Sequence, residues 1–256
     1  MSADAIRYID LTHLSPEFDA AYDVLSQNIS PEFLETREFL KNRFRVRDTG
    51  PDTGPEKILV QDNYTLHLIA AVQDNKVVGA IYGHLIADIE PDKRGIGFVT
   101  YIGVSHGHRR QGIGTKLIHA LKERVEEDAL RITRKPIIGM VYEIEGQGKE
   151  AIKACVNKHA WPLDVVYYQP ALRSGYAPER MDLWFQSCEP TVTTREAANT
   201  FRLSAVVVIS MVRNMLVKEY VGPEVRGFDL ASTPYVEFIN SVGKRKEIGW
   251  RNSERF

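Results

Sequence analysis

The segment RRQGIG at residues 109–114 carries the residue types in this sequence that are best suited to binding an anion. An apolar run typical of a strand precedes it, and an amphipathic helical pattern follows it. The N-terminus of a helix exposes unpaired N–H groups and the positive end of the helix dipole, so it attracts phosphate groups. Two glycines, Gly112 and Gly114, let a phosphate approach the backbone, and Arg109 and Arg110 add positive charge. The segment therefore predicts a phosphate or pyrophosphate site, with a solvated basic turn as the alternative.

Two familiar phosphate-binding motifs do not fit this segment. A Walker loop needs Gly, four residues and then Gly-Lys-Ser/Thr; Gly107 and Gly112 have that spacing, but Ile113 stands where the lysine must be. A dinucleotide fingerprint, G-x-G-x-x-G, fits Gly112 and Gly114, but Leu117 replaces its third glycine. The strands before the segment also lack the repeated strand-helix-strand pattern of a dinucleotide-binding fold. Both motifs are therefore disfavoured.

Three strand-like runs and one helix must position the segment. The runs are YTLHLIAAVQ, KVVGAIYGHLIADI and GIGFVTYIGV, separated by turn residues at 74–75 and 90–95, and they predict an antiparallel meander over residues 64–104. The helix after the segment has a single apolar stripe, formed by Leu117, Ile118, Leu121 and Val125. With the next strand, PIIGMVYEI, it forms a crossover over residues 100–142 that implies one parallel strand pair.

The remaining elements complete the predicted fold. Serine followed by proline at Ser15 and at Ser30 predicts the start of a helix at each position. A fourth helix is predicted over residues 148–161, and strands at LDVVYYQ and MDLWFQ. The order is β, α, α, β, β, β, α, β, α, β, β, which predicts an α/β (α+β) fold with a mixed, mostly antiparallel sheet flanked by helices.

The chain is predicted to divide near residue 190. Residues 1–190 form the main domain, and residues 191–256 form a largely helical extension that packs on it. In the extension, Phe201, Ala205, Val208, Val212 and Met215 lie at helical spacing. This stripe is either packed within the chain or the interface of a homodimer.

Composition excludes several classes of protein. The 33 Lys and Arg residues balance 34 Asp and Glu residues, so no global field favours nucleic acid or an anionic membrane. The two cysteines, Cys155 and Cys188, do not form a metal-type pair, and His106 and His108 have no further ligand at suitable spacing. We expect no metal, no secretory signal and no membrane span, and hence a soluble, cytoplasmic protein.

With its context, FVTYIGVSHGHRRQGIGTKLIHAL, the segment resembles the Q/R-x-x-G-x-G/A pyrophosphate motif of the GCN5-related N-acetyltransferase (GNAT) superfamily. The resemblance covers approximately residues 6–186 and includes the family's fourth strand and third helix. It implies acetyl-CoA as cofactor, with Arg109 or Arg110 beside the pyrophosphate. It also implies that backbone N–H groups hold the pyrophosphate, namely those of Gln111, Gly112, Ile113, Gly114 and Thr115. The backbone of Ile102 and Val104 would pair with the pantetheine arm, where an N–H group could stabilise the oxyanion, and Asn157 would contact CoA.

The resemblance leaves the general acid open. Many family members use a tyrosine in the helix after the fifth strand, but Val156 stands at that position here. Tyr142, Tyr167 and Tyr168 are substitutes, with packing in the sheet as the alternative role. The proton donor to the departing thiolate is therefore one of three strand tyrosines or a group outside them.

The general base is also open. Family members often carry an acid on the fourth strand, where this chain has Thr100 and Tyr101. Glu143 or Glu145, at the end of the fifth strand, could take the proton directly or through water. His84 faces either the acceptor cleft or the sheet.

The function implied is N-acetyltransferase activity: an acetyl group passes from acetyl-CoA to a primary amine of a small molecule by direct attack in a ternary complex. Two alternatives stay open at this point. One is a protein lysine or N-terminal acetyltransferase, and the other is a catalytically silent acyl-CoA-binding module, which Val156 motivates.

Overall fold

The computed structural model describes residues 5–49, 64–144, 160–172, 177–188, 202–219 and 232–249. The helices are α1 (Pro16–Ser26), α2 (Arg37–Thr49), α3 (Ile113–Thr133), α4 (Ala205–Glu219) and α5 (Thr233–Val242). The strands are β1 (Arg7–Asp10), β2 (Tyr64–Gln73), β3 (Lys76–Ile89), β4 (Arg94–Val104), β5 (Gly139–Ile144), β6 (Ala160–Pro162), β7 (Tyr167–Gln169), β8 (Glu179–Ser187), β9 (Leu203–Ser204) and β10 (Glu247–Ile248).

Eight strands form one mixed sheet in the order β1-β2-β3-β4-β5-β8-β6, and β7 pairs with β8. Its pairs are antiparallel except for β4 with β5, which run parallel over Gly97–Val99 and Met140–Tyr142. The predicted fold class, the meander and the parallel pair across the crossover are therefore confirmed. Strands β9 and β10 form a separate antiparallel pair in the C-terminal part of the chain.

Helices cover both faces of the sheet. Helix α3 packs on β2, β3 and β4, and its predicted apolar stripe is buried there: Leu117, Ile118, Leu121 and Val125. Helices α1 and α4 pack on β3 at the opposite face, where Phe18 and Phe44 form an edge-to-face aromatic pair between α1 and α2. Helix α5 packs on β7.

The start of α2 differs from the prediction. The helix begins at Arg37, where Thr36 caps it by accepting the N–H of Phe39 at 3.2 Å, and residues 31–33 form turns. The reason is tertiary: Glu35 donates its N–H to the hydroxyl of Tyr101 (3.2 Å), and its carbonyl accepts the hydroxyl of Tyr22 (2.9 Å). Both backbone groups of Glu35 are therefore used outside any helix. The predicted start at Ser30 was wrong, whereas the helix itself is present as α2.

The helix predicted over residues 148–161 is wrong at its end. Ala160–Pro162 is strand β6, which pairs with β8 through Ala160 opposite Gln186 and Trp161 opposite Phe185. Residues 148–159 lie outside the described residues.

The helix predicted around residues 201–215 is confirmed as α4. Its stripe packs within the chain, because Val208, Met211, Val212 and Met215 are wholly buried; Phe201 lies outside the described residues. In the part of the chain that the structure describes, no helix combines the length and apolar character needed to cross a bilayer.

Candidate functional site

Strands β4 and β5 separate halfway along β4. Their paired residues end at Val99 opposite Tyr142. One residue later β4 has a bulge: Tyr82 pairs with Tyr101 and Gly83 pairs with Val99, so Thr100 is an extra residue. A bulge bends its strand. The second half of β4 therefore diverges from β5 and opens a cleft in the sheet.

The backbone of β4 turns toward this cleft at two of the predicted positions. The N–H of Ser105 donates to the carbonyl of Val78 on β3 at 2.9 Å. Backbone groups alternate along an antiparallel strand, so the groups of Ile102 and Val104 point away from β3. Both residues are half-buried. They present their edge of the strand to the cleft, where an extended chain can pair with it.

The loop after β4 is held in a strained shape. A short 3-10 turn, His106–His108, follows the strand, and then Arg110 (φ 63°) and Gly112 (φ 76°) adopt the left-handed conformation. Gly112 is the N-cap of α3, and no side chain caps the helix. The left-handed conformation costs little only for glycine, which explains the glycine at residue 112.

The start of α3 fits a pyrophosphate. The first helical bond runs from the N–H of Lys116 to the carbonyl of Gly112 at 3.1 Å. The N–H groups of Ile113, Gly114 and Thr115 precede that bond, and the first turn contains no acidic residue. A Cβ atom added to Gly112 would meet nothing within 4 Å, so the surface above it is open.

The two arginines of the segment lie in different surroundings. Arg109 donates from Nε to the carbonyl of Val104 (3.3 Å) and from Nη2 to Oδ1 of Asn28 (2.8 Å), in the loop after α1. Asn28 also lies against β4, since a Cβ atom on Gly103 would be 3.1 Å from Asn28. Arg110 is exposed at the left-handed position beside the helix start. Arg109 thus stabilises the loop through its hydrogen bonds, whereas the side chain of Arg110 is exposed to solvent near the start of α3.

Glu143 lies at the apex of the cleft. It is the first residue of β5 beyond the last pair with β4, it is half-buried, and its carboxylate accepts a short hydrogen bond from the hydroxyl of Tyr167 on β7. Tyr142 points to the α3 face, is 1% exposed and donates its hydroxyl to Gln186 at 2.6 Å. These two neighbouring candidates therefore serve opposite faces of the sheet.

Tyr168 contacts the C-terminal part of the chain. Its pKa lies above the usual value because of a hydrogen bond with Glu237 on α5, with desolvation adding to the shift. Three other predicted positions, Glu145, Val156 and Asn157, lie outside the described residues. No cluster of metal-ligating side chains occurs within the described ranges.

A buried polar cluster lies beneath α2, and the sequence analysis did not predict it. Arg43 pairs with Glu35 at 3.3 Å, and its guanidinium donates to the hydroxyls of Tyr64 (3.4 Å) and Tyr82 (3.3 Å). His84 is wholly buried and bonded to the hydroxyl of Tyr64 at 2.5 Å, so it belongs to the sheet rather than to the cleft. The members of the cluster come from α2, β2, β3 and the segment just before α2, and no local spacing in the sequence relates all of them.

The chain is similar to a known protein family and to several solved structures. Residues 32–135 match the model of the acetyltransferase (GNAT) family. No curated protein matches the chain. Among solved structures, a GNAT-family acetyltransferase from Bacteroides thetaiotaomicron is similar, with a TM-score of 0.51 and 15% identity over 83% of this chain and 98% of that one. At that identity the likeness shows the fold.

Two further similar structures contain acetyl-CoA. One is NAA60 of Arabidopsis thaliana in complex with acetyl-CoA, with a TM-score of 0.49 and 13% identity over 72% of this chain and 99% of that one. The other is a GNAT-family acetyltransferase from Elizabethkingia anophelis with acetyl-CoA bound, with a TM-score of 0.44 and 15% identity over 72% and 99% of the two chains. The matched residues 32–135 include the bulged β4, the glycine loop and the whole of α3. Residues 32–135 of the chain therefore correspond to an acetyltransferase domain of the GNAT family.

Proposed function

We propose that this protein transfers an acetyl group from acetyl-CoA to the primary amine of a small molecule, by direct attack in a ternary complex. The observation that carries the proposal is the junction of β4 and α3. There, a strand that has separated from its neighbour leads directly into an uncapped helix N-terminus with a left-handed glycine. This junction offers one binding site for an extended arm and another for a pyrophosphate.

The cofactor would be held mainly by the backbone. The pyrophosphate would accept N–H groups from the turn and the first turn of α3, namely those of Gln111, Gly112, Ile113, Gly114 and Thr115, and Arg110 would add charge beside it. The pantetheine arm would lie along Ile102 and Val104. Backbone donors in a site that excludes water also stabilise a developing oxyanion.

Glu143 would take the proton from the attacking amine. The bound cofactor supplies an activated thioester; the amine nitrogen forms the new bond to its carbonyl carbon, and the carbon–sulfur bond breaks. The ammonium proton must leave before attack, and a carboxylate at the apex of the cleft can accept it directly or through water. The departing thiolate takes a proton from solvent or from a nearby acid. Tyr142 is a weaker candidate for that acid, because it is buried on the α3 face.

A small acceptor is supported by the packing beside Glu143. Tyr167 bonds to Glu143, and β7, which carries Tyr167, is covered by α5. Tyr168 on the same strand interacts with Glu237 of α5. This additional layer lies beside Glu143, and it supports a compact acceptor over a long peptide.

The cofactor site is tested by calorimetric titration with CoA. In Gly112→Val, the β-branched side chain opposes the left-handed conformation and occupies the open surface. Affinity should fall by about 100-fold, since each hydrogen bond to a charged group contributes about 1.5–3 kcal/mol. Gly107→Ala is the matched control, because Gly107 lies in the same loop and its added Cβ also meets nothing within 4 Å. Unchanged affinity in Gly112→Val would contradict the site.

The acceptor is tested by thiol release from acetyl-CoA. The panel contains an aliphatic diamine, an aromatic amine, an aminoglycoside and a peptide with a free N-terminus and an internal lysine. Acceleration by a small amine alone supports the proposal. Acceleration by the peptide alone identifies a protein acetyltransferase, and CoA binding without any acceleration identifies a silent binding module.

A further inference from the structure

We propose that the C-terminal extension is a working part of the acceptor site, because its helix α5 fixes the strand whose tyrosine holds Glu143. The inference rests on the proposed role of Glu143 as general base. Tyr167 and Ser241 are then positioning residues: they act through Glu143 and do not touch the substrate.

Tyr167 links the extension to Glu143. Its side chain is 1% exposed, and its hydroxyl donates to the carboxylate of Glu143. A carboxylate held by an O–H donor keeps one orientation, and catalysis by a general base depends on that orientation. The position of the Tyr167 hydroxyl therefore sets the direction in which Glu143 presents its oxygen atoms.

Strand β7, which carries Tyr167, has little support of its own. It is three residues long and pairs with β8 through Tyr167 opposite Met181 and its two neighbours. So short a strand with one registered partner needs further contacts to be rigid. The residues just before it supply them.

Helix α5 fastens the segment before β7 at two points. The N–H of Val166 donates to Oγ of Ser241 at 2.9 Å, and that hydroxyl donates in turn to the carbonyl of Phe238 at 2.7 Å. Arg245, just after α5, donates to the carboxylate of Asp164 (3.0 Å) and to its carbonyl (2.9 Å). The two attachments lie on either side of residue 165, next to Tyr167 in the chain.

A third hydrogen bond also joins the segment before β7 to the C-terminal part of the chain. The N–H of Asp164 donates to the carbonyl of Gly249 at 3.1 Å, just after β10. Residues 241–249 thus hold both ends of the segment 164–166. These residues, like Glu143 and Tyr167, lie beyond the region at 32–135 that matches the family model.

The test compares two serines of the extension in the full-length protein. Ser241→Ala removes the acceptor of the Val166 N–H. Ser210→Ala on α4 is the matched control, because Ser210 accepts the N–H of Glu90 at the same distance, 2.9 Å, beside β3. Tyr167→Phe removes the hydrogen bond from Tyr167 to Glu143. Ser241→Thr keeps a hydroxyl group at residue 241.

Turnover is measured with the amine that is acetylated fastest, and hydrogen exchange reports on residues 163–169. We expect kcat to fall about 10- to 100-fold in Tyr167→Phe and less in Ser241→Ala, since a small misplacement of a catalytic group can cost 100-fold. KM for acetyl-CoA should stay within twofold. The acid limb of the kcat profile should move to higher pH in Tyr167→Phe, because the lost bond favours the charged carboxylate. Hydrogen exchange at the amide of residue 166 should be faster in Ser241→Ala and unchanged in Ser210→Ala. In Ser241→Thr, both kcat and the exchange rate should match the wild type.

Failure of this inference is separable from failure of the proposed function. If Glu143→Gln loses activity while Tyr167→Phe and Ser241→Ala keep the wild-type kcat and pH profile, the positioning role is overturned. An equal loss of kcat in Ser210→Ala and Ser241→Ala overturns it too, because the effect is then one of stability. If Glu143→Gln keeps full activity, the assignment of Glu143 as base fails first, and this inference with it.

Discussion

The two proposed sites of the main sheet are built from different parts of the chain. On the α3 face, the proposed cofactor site is formed by residues 102–115, a single contiguous segment. Apart from that site, the same face carries His67, which is bonded to Asp10 (2.9 Å) and Asp128 (3.1 Å). On the opposite face, the polar groups come from distant parts of the chain: Glu35 and Arg43, Tyr101, Glu143 and Tyr167.

This difference matches two tasks, binding of the cofactor and binding of the acceptor. A pyrophosphate has the same shape in every reaction, and helix N–H groups bind it without particular side chains. An acceptor amine differs from enzyme to enzyme, and its site needs specific side chains on several elements. Each face can be perturbed alone, and the following predictions test whether the two tasks are separate.

The largest effect is expected from Glu143→Gln. Loss of the base should reduce kcat by about 100- to 10,000-fold, the usual contribution of general base catalysis. Affinity for CoA, measured by calorimetry, should stay unchanged because the proposed cofactor site lies on another segment. A parallel loss of CoA affinity would show that the two sites are one.

The next effect concerns the stability of the acceptor face. Arg43→Met leaves the carboxylate of Glu35 buried without its cation, since both side chains are almost fully buried. The free energy of unfolding in urea should fall by about 3–5 kcal/mol. In the control Arg37→Met, an arginine with 37% exposure loses its bonds to Asp19 and Asp23, and the cost should be about 0–1 kcal/mol. Equal losses would contradict the buried pair.

His67 should make the α3 face sensitive to pH. Burial disfavours the charged imidazole, but the hydrogen bonds that His67 donates to Asp10 and Asp128 outweigh it and raise the pKa of His67 above its usual value. The pKa of Asp128 is lowered, since its bonds to His67, Thr65 and Arg131 outweigh desolvation.

A raised histidine pKa stabilises the fold below the unfolded pKa, and the stabilisation is lost as pH rises through the folded pKa. A lowered carboxyl pKa stabilises the fold above the unfolded pKa. The two contributions coincide between about pH 4 and 6.5. In that range His67→Gln should cost about 1–3 kcal/mol. Urea unfolding at several pH values should show that the free-energy cost of His67→Gln becomes smaller above that range. A cost that grows with pH would contradict the interaction of His67 with Asp10 and Asp128.

The smallest effect separates the two arginines of the loop. Arg110→Gln should weaken CoA binding about tenfold, the equivalent of roughly 1.4 kcal/mol for one charged contact. Arg109→Gln should weaken it less but raise KM for the acceptor, since Arg109 is bonded to Asn28 in the loop after α1. The reverse order of CoA affinities would place Arg109 at the pyrophosphate instead.

Much of the fold could be predicted from local pattern. The meander, the α3 stripe and the parallel pair follow from periodicity and turn residues, and each is confirmed. The start of α2 could not be predicted, because Glu35 uses its backbone groups to reach Tyr22 and Tyr101. Strand β6 could not be predicted either, since its pairing partners lie 22 to 26 residues later in the chain.

The sequence by itself determined the cofactor motif: two glycines and two arginines at the start of an amphipathic helix act through backbone groups within one short segment. Only the tertiary structure decided that Tyr142 faces α3, that Glu143 meets Tyr167, and that α5 supports their strand. The physical reason is range. Backbone groups at a helix start are placed by their immediate neighbours, whereas a side-chain pair between two strands depends on the register and packing of elements far apart in the chain.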